Sequence, residues 1–342
     1  MRPVSATYIP VFRIHKKLHS KTFTMKRHLL LILLAATFVL GSWAKGTKID
    51  GIYYVLDSST KTASVTYTGI SLNYNSYNGS VNIPSSVIYD GTQYTVTGLE
   101  KYAFYGCANL ISITIPNSVS SIGFDVFEGC SGLTNITVAD DNPFYDSREN
   151  CNAIIETSSN TLIAGCQNTL IPKSVTSIGD FAFSVCSSLT SITIPSSVTT
   201  IGYGAFVKCS GLTSVNIPTS VTSIGNAAFS YCTALADIYA QRAVPDGYTA
   251  ELSAFYNVPT STCILHVPVG SKNAYANTKP WSNFTNIVEE DLTPVKEVLF
   301  NIQDESVSGY YDLQGRCVAQ PQRGQVVIVR HSDGTSSKVM AR

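Results

Sequence analysis

A unit of 23 residues recurs in register along this chain, at 110–132, 189–211 and 212–234. A unit of this length is too small to bury its own apolar face, so repeats of this kind form solenoids that are stabilised by stacking on their neighbours. The sequence therefore predicts a stack of coils, whose function lies on a long surface and not in a pocket.

Each unit opens with a leucine, followed by β-branched apolar residues three and five positions later. The leucine column comprises Leu110, Leu133, Leu189, Leu212 and Leu235. Apolar residues at alternate positions indicate a short strand with one face on a core. Proline follows this strand at Pro116, Pro195 and Pro218 and predicts its end, because proline cannot donate a backbone hydrogen bond.

The second half of the unit contains glycine, phenylalanine and cysteine at fixed positions. Glycine, as at Gly123 and Gly202, predicts a corner that needs positive φ or a close backbone approach. The cysteine column is Cys107, Cys130, Cys186, Cys209 and Cys232. Its spacings of 23, 56, 23 and 23 indicate one insertion of 33 residues (56 minus 23) after Val138. We predict that these cysteines are buried and reduced, because side chains of one column point the same way.

The strand positions that face away from the core form two polar columns. They contain Ser112, Thr114, Asn135, Thr137, Ser191, Thr193, Ser214, Asn216, Asp237 and Tyr239. We call this set the polar ladder, since it forms a flat row of hydroxyl and amide groups at roughly 4.8 Å per coil. Outward strand residues have no core role, so we predict that the polar ladder contacts a ligand.

The pattern L-x-x-I-x-I-P-x-S-V-x-x-I-G-x-x-A-F-x-x-C, over roughly 99–240, resembles the BspA-like leucine-rich repeats of bacterial surface proteins. This resemblance implies a β-rich, right-handed leucine-rich-repeat solenoid with one short parallel strand per coil and short helical turns on the other side. It also implies a surface-displayed binding protein or adhesin, and some members bind host matrix proteins such as fibronectin. The segment 142–172 resembles a variant coil of the same family.

The chain ends divide into further predicted segments. Met25, a basic cluster and the apolar run 29–40 predict a signal peptide within 1–44, with Met25 as the true start. Residues 45–98 predict an N-terminal β cap, and residues 241–290 resemble the closing cap of the family, with a short helix from about Ser271. The repeats then span 99–240, with the insertion at 139–171.

The tail 291–342 predicts a linker and a small β unit, with a hairpin turn at Asp333-Gly334. It resembles the C-terminal sorting domains of the type IX secretion system. Together with the signal peptide, this resemblance implies an extracellular or cell-surface protein, which meets the membrane only through export or attachment.

The charge balance of the exported chain argues against nucleic acid as a partner. Residues 1–44 hold 7 of the 23 Lys and Arg and none of the 23 Asp and Glu, so 16 basic residues remain against 23 acidic ones. The remaining chain has a net charge of about −7 and no basic patch for a phosphate backbone. We therefore expect an extracellular protein or a glycan as the partner.

The exported chain offers little catalytic chemistry. His266 and His331 are its only histidines, which leaves almost nothing for a Ser-His or Cys-His pair. We predict no enzyme, no cofactor and no metal; the alternatives are a structural or matrix-forming surface protein and, more remotely, a hydrolase that uses carboxylates. Asp140, Asp141 and Asp146 are typical of a turn, and a calcium site there is the second interpretation.

The insertion contains a predicted β-hairpin that turns at Ser158-Ser159. That centre places Ile154 opposite Ile163 and Cys151 opposite Cys166. Facing residues of an antiparallel pair lie about 4.5–5.5 Å apart, close enough for a disulfide. The sequence thus raises the hypothesis of a Cys151–Cys166 disulfide.

Overall fold

The structure of the protein is a computed structural model that describes residues 46–68, 76–243, 245, 249–250, 252–292, 307–311, 318, 326–331 and 336–340. The predicted signal peptide, Met25 and the hairpin turn at Asp333-Gly334 lie outside the described residues. No helix among the described residues is long and apolar enough to span a bilayer.

The N-terminal segment contains six strands that are largely paired as hairpins. They are β1 (Thr47–Ile49), β2 (Ile52–Asp57), β3 (Thr62–Thr66), β4 (Gly79–Asn82), β5 (Ser86–Tyr89) and β6 (Thr92–Leu99). The pairs β1–β2, β2–β3 and β5–β6 are antiparallel, as the alternating sequence predicts, whereas β3 and β6 run parallel.

The repeats and the insertion contain twelve short strands. They are β7 (Leu110–Ile115), β8 (Ser121–Ile122), β9 (Asn135–Val138), β10 (Tyr145–Asp146), β11 (Ala153–Glu156), β12 (Thr161–Gly165), β13 (Ser177–Ile178), β14 (Ser191–Thr193), β15 (Thr200–Ile201), β16 (Ser214–Ile217), β17 (Ser223–Ile224) and β18 (Asp237–Ala240). A 3-10 turn at Arg148–Asn150 lies within the insertion.

The C-terminal segment continues the stack and is followed by a separate small sheet. Its elements are β19 (Thr249–Ala250), β20 (Ile264–Pro268), helix α1 (Lys272–Ala276), a 3-10 turn at Trp281–Asn283, β21 (Asn286–Glu290), β22 (Val307–Tyr311), β23 (Val326–His331) and β24 (Ser336–Met340). Strands β22, β23 and β24 form an antiparallel sheet within the predicted tail. The helix begins directly after Ser271, as predicted, and Trp281 and Phe284 are buried.

The molecule is a β-solenoid of about eight turns with parallel strands about 23 residues apart. Its main face consists of two parallel sheets, β4-β7-β9 and β14-β16-β18-β20-β21. Strand β4 before the repeats and strands β20 and β21 after them extend this face beyond the predicted range 99–240. The degenerate end segments thus add coils of their own.

A second parallel ladder, which the sequence did not predict, lies at the corner before each glycine. The two-residue strands β13, β15 and β17 pair with one another, flanked by β12 and β19. The predicted parallel strand of each coil is present, and the apolar pair before glycine adds a second, two-residue strand that also forms inter-coil hydrogen bonds. The rest of the coil consists of turns, and the expected helical turns are limited, among the described residues, to α1, the two 3-10 turns and a further 3-10 residue at Pro245.

The corner glycines are required by close approach and not by positive φ. A Cβ on Gly123 would lie 2.3 Å from the Lys101 backbone nitrogen, and one on Gly225 would lie 2.7 Å from the Gly202 carbonyl carbon. Such distances leave no room for a side chain. Positive φ occurs later in the coil, often at residues other than glycine, including Asp125 and Val185.

The predicted core columns are confirmed. All five leucines of the leucine column are buried, as are the phenylalanines that stand three residues before each cysteine of the cysteine column. The rings of Phe183, Phe206, Phe229 and Phe255 stack in a continuous row with centroids 5.0, 5.1 and 5.6 Å apart. Stacking of identical residues in successive coils makes the core after the insertion continuous along the solenoid axis.

The cysteine column is buried and its thiols are free, as predicted. The thiols of Cys130, Cys209 and Cys232 donate hydrogen bonds to phenylalanine carbonyls of the preceding coil at 3.0, 3.1 and 3.1 Å. Burial raises the pKa of Cys232 to about 12. These three thiols therefore act as weak donors that join adjacent coils.

The insertion hairpin separates two hydrophobic cores. Ile154, Ala164 and Cys166 belong to the core of the N-terminal coils. Cys151 and Ile155 belong to the core of the C-terminal coils. The hairpin therefore has both of its faces buried, and the stack continues on either side of it.

The predicted hairpin register is correct next to the turn and wrong beyond it. Ile155 pairs with Leu162 as predicted, but an irregularity then shifts the register, so that Ile154 pairs with Ala164 and not with Ile163. A shift of one residue reverses which face a side chain occupies. Cys151 and Cys166 consequently lie in different cores and are free, which contradicts the disulfide hypothesis.

Asn142 joins the start of the insertion to the preceding coil. Its side-chain amide donates to Pro116 O and Val119 O at 2.9 Å each, and its Oδ1 accepts from the amides of Phe144 and Tyr145 at 2.9 and 3.0 Å. The residue is 6% exposed. One buried side chain thus satisfies four backbone groups.

Candidate functional site

The structure places the polar ladder on the outward face of the two main sheets. Parallel pairing aligns Ser112 with Asn135 and Thr114 with Thr137. On the second sheet, pairing aligns the remaining members in two rows: Ser191, Ser214 and Asp237, and Thr193, Asn216 and Tyr239. All ten residues are partly or fully exposed. Their predicted arrangement is confirmed, and their contact with a ligand stays a prediction.

The ladder continues into both end segments. At the N-terminal side, the Ser112 hydroxyl donates to Ser80 on β4 at 2.8 Å. At the C-terminal side, β20 aligns His266 with Tyr239. Sequence reasoning missed these positions because the unit length changes there, although the alternating pattern of β20 was available as a signal.

Amide side chains continue the polar surface across the insertion. Asn135 donates to the Asn152 side-chain oxygen at 3.1 Å, and Asn152 donates to the Asn168 carbonyl at 3.3 Å. The side-chain oxygen of Asn135 also accepts from Thr137 at 3.0 Å. A chain of amide hydrogen bonds therefore extends the polar surface from β9 into the insertion.

A charged cluster lies at the C-terminal end of the ladder. The Nε2 atom of His266 lies 2.9 Å from Asp237 Oδ1, and its Nδ1 atom lies 3.2 Å from Glu290 Oε1. The ring of His266 stacks on Tyr239 with centroids 4.3 Å apart. Burial, with further contributions from Asp237 and Glu290, raises the pKa of Tyr239.

The geometry of this cluster favours binding over catalysis. The two carboxylates contact opposite nitrogens of the His266 ring, so the three groups do not converge on one ion. Within the described part of the chain, the polar contacts of His266 are these two carboxylates, with no serine or cysteine nucleophile. The cluster therefore offers two acidic groups and a stacked pair of rings on an exposed sheet.

Asp146 and Asp141, two of the acidic residues at the insertion, contact other residues of the protein. Both Asp146 oxygens accept hydrogen bonds from the Arg148 guanidinium, at 2.8 Å for the first and 2.6 Å for the second. Asp141 accepts from the Asn117 amide at 2.6 Å. The cation that neutralises Asp146 is an arginine, so the calcium interpretation fails for this residue.

The tyrosines of the N-terminal cap mainly serve packing. Tyr54, Tyr77 and Tyr94 are buried, and the Tyr77 ring lies 4.7 Å from that of Phe104. Burial raises the pKa of Tyr54 to about 12. These rings extend the phenylalanine core into the cap.

Several exposed aromatic rings lie in the turn segments of the coils and not on the strands of the polar ladder. Sequence reasoning missed them. Phe124, Tyr203 and Tyr256 are 53, 47 and 57% exposed. The Lys101 ammonium lies 3.9 Å from the centroid of Phe124. These rings lie in columns that vary between coils, so the repeat pattern gave no signal for them.

A family model described as the BspA type leucine rich repeat region matches the chain in six copies, over residues 54–160 and 155–287. No curated protein matches the chain.

Solved structures with similarity to this chain include several bacterial leucine-rich repeat proteins. One from Eubacterium ventriosum is 26% identical, with a TM-score of 0.42, and the match covers 56% of this chain and 48% of that chain. One from Bacteroides ovatus is 25% identical, with a TM-score of 0.35, and covers 72% and 76% of the two chains. A leucine rich cell surface protein from Faecalibacterium prausnitzii is 17% identical, with a TM-score of 0.38 and coverages of 73% and 95%. This chain spans about half the length of the E. ventriosum chain.

Proposed function

Because this chain belongs to the BspA-type leucine-rich repeat family, we propose that it is a non-catalytic binding protein displayed at the cell surface, with the polar ladder as its contact face. The partner would be an extracellular protein or a glycan. The observation that carries the proposal is the register of the outward side chains along successive parallel strands.

The chemistry of the ladder suits this role. Hydroxyl and amide side chains both donate and accept hydrogen bonds, so they match the hydroxyls of a glycan or the backbone of a protein. The strands that hold them are paired on both sides, for example β16 between β14 and β18. A rigid backbone reduces the entropy lost on binding.

The charged cluster would give the ladder a direction. Asp237 and Glu290 lie at one end of a row that otherwise carries hydroxyl and amide groups. A ligand with a basic group at one end would bind in one orientation, because charged contacts fix register more than they add affinity.

The ladder is tested by replacing Thr114, Thr193 and Asn216 together with lysine. Lysines on an exposed sheet leave the core intact but place three charges and long side chains on the contact face. A solid-phase panel of extracellular matrix proteins and glycans first identifies a member that the unmodified chain binds. We expect the triple variant to bind that member at least tenfold more weakly.

A matched control places the same charges on a different face. Ser187, Ser210 and Thr233 follow the cysteines of successive coils and are exposed. Their replacement with lysine adds the same charge and should leave binding unchanged. Equal loss in both variants would indicate a general charge effect, and undiminished binding by the ladder variant would refute the ladder as the contact face.

Display at the cell surface needs its own experiment. The signal-like segment 1–44 and the sorting-like tail support export. We expect the protein to be removed from intact cells by added protease and to begin at Lys45. Retention inside protease-treated cells would refute this part. A surface protein that binds no member of the panel would favour the structural or matrix-forming alternative.

A further inference from the structure

Successive coils of the solenoid are joined by strand pairing and by backbone hydrogen bonds between their turns. In the regular coils, for example, Phe206 N donates to Ala228 O at 2.7 Å and Thr222 N donates to Thr199 O at 2.8 Å. Within the described part of the chain, neither a strand pairing nor a turn hydrogen bond of this kind joins residues 46–138 to residues 143–290. We call the boundary between these two segments the seam.

The insertion hairpin is joined through its backbone to the coils that follow it. Gly165 N donates to Ala182 O at 2.8 Å, and β12 pairs with β13. A Cβ on Gly165 would lie 2.2 Å from Phe183 Cε1, so the hairpin backbone rests directly on this ring. The hairpin therefore belongs to the C-terminal side of the seam.

The contacts across the seam are made by side chains. Ser147 Oγ accepts from Val138 N at 2.9 Å, and the Ser188 hydroxyl donates to Ser131 O at 2.8 Å. One apolar face of the hairpin also packs into the core of the N-terminal coils. These contacts replace the continuous backbone ladder that joins the other coils.

Two rows of the core are interrupted at the seam. The ring centroids of Phe104 and Phe127 lie 5.5 Å apart, but no ring contact among the described residues joins Phe127 to Phe183. The Cys186 thiol makes no hydrogen bond to the Phe127 carbonyl, although three other thiols of the cysteine column bond to the phenylalanine carbonyl of the preceding coil. Asp125 Oδ1 is buried here without a hydrogen bond to a described residue, which further weakens the junction.

We propose that the seam divides the solenoid into two units that unfold separately, and that residues 46–138 unfold while residues 143–290 stay folded. In a solenoid the coupling between neighbours is an interface term, so the stack separates where that term is smallest. The N-terminal unit has the smaller core, and part of that core is supplied by the hairpin on the other side of the seam. Its opening would leave the polar ladder on β14, β16 and β18 in place and expose one apolar face of the hairpin.

The cysteines report on the two units separately. The N-terminal core contains Cys107, Cys130 and Cys166, whereas the C-terminal core contains Cys151, Cys186, Cys209, Cys232 and Cys263. The full chain with Cys317→Ser is equilibrated in urea and labelled briefly with a thiol reagent, and mass spectrometry locates the label. We expect the first three cysteines to react at urea concentrations at which the other five stay protected. Cys151 and Cys166 are the sharpest comparison, because they lie on opposite faces of one hairpin.

A matched pair of core substitutions assigns the two transitions. Ile113 and Ile238 occupy the same column and are fully buried, one in each core. Trp281 is buried in the C-terminal core, and Trp43→Phe leaves it as the single tryptophan. Ile113→Ala should move the reaction of the first three cysteines to lower urea by about 1–2 M and leave the midpoint of Trp281 fluorescence unchanged. Ile238→Ala should lower the midpoint of Trp281 fluorescence.

Three results would overturn the proposal. The first is a single transition in which all eight cysteines react together with the change in Trp281 fluorescence. The second is reaction of the five C-terminal cysteines before the other three. The third is an equal shift of both transitions by Ile113→Ala, which would mean that the seam couples the two cores as strongly as any other coil boundary.

Discussion

Asn142→Asp is the substitution for which the structure makes the strongest stability prediction. The aspartate would keep two acceptor bonds from the amides of Phe144 and Tyr145. It would lose the two donor bonds, and a carboxylate oxygen would face the carbonyls of Pro116 and Val119 at about the 2.9 Å where the amide now donates.

The expected loss of unfolding free energy follows from the number of hydrogen bonds removed and from the burial of Asn142. Two lost hydrogen bonds cost about 1 kcal/mol each, and a charge placed among buried acceptors adds about 1–2 kcal/mol more. We therefore expect Asn142→Asp to lower the free energy of unfolding by about 3–4 kcal/mol at pH 7.5. Urea denaturation followed by circular dichroism would measure it, and hydrogen exchange at Phe144 and Tyr145 would locate the loss.

Asn117→Asp is the matched control on the same coil. Asn117 is exposed and donates a single side-chain bond to Asp141. Water can solvate the new charge there, so we expect a loss below about 1 kcal/mol. Equal destabilisation by the two substitutions, or a loss below about 1 kcal/mol for Asn142→Asp, would refute the reasoning.

Three further predictions concern the coil itself. Val185→Gly should raise the free energy of unfolding by about 0.5–1 kcal/mol in urea denaturation, because Val185 has a φ of 56° at the position that Gly129 occupies in an earlier coil. Val207→Gly is the control: Val207 has no positive φ, so this substitution should lower the free energy of unfolding. Gly225→Ala should cost more than about 2 kcal/mol in the same assay, since its Cβ would lie 2.7 Å from the Gly202 backbone; a near-neutral effect would contradict the close approach. In a Cys317→Ser background, the folded protein should not react with a thiol reagent at pH 8, because its other eight cysteines are buried; reaction before unfolding would contradict that burial.

The repeat pattern predicted the parts of the fold that depend on identical neighbours. Leu212, Val215 and Ile217 recur with the same spacing in adjacent coils, so one strand assignment fixed the register of the others. The outward position of Thr193 and Asn216 followed from the same alternation. Whether these side chains bind a ligand does not follow, because hydroxyl and amide groups at an exposed face suit many partners.

The insertion shows where sequence reasoning stopped. The turn centre gave the correct pairing of Ile155 with Leu162, but the register shift between Ile154 and Ile155 occurs in a hairpin that packs against two cores at once. Similarly, serine recurs at the position of Ser220 in the repeat unit, but the sequence does not give its hydrogen-bond partner. The Ser220 hydroxyl donates to Val198 O of the preceding coil at 2.7 Å.

The sequence by itself determined the coil length, the core columns and the outward rows, because these depend on a local period that each unit repeats. Tertiary structure alone decided the second ladder at the glycine corner and the two separate cores. The second ladder arises between equivalent residues of successive coils, and the two cores arise where the insertion interrupts them; both are set by packing and hydrogen bonding between coils that no single unit contains.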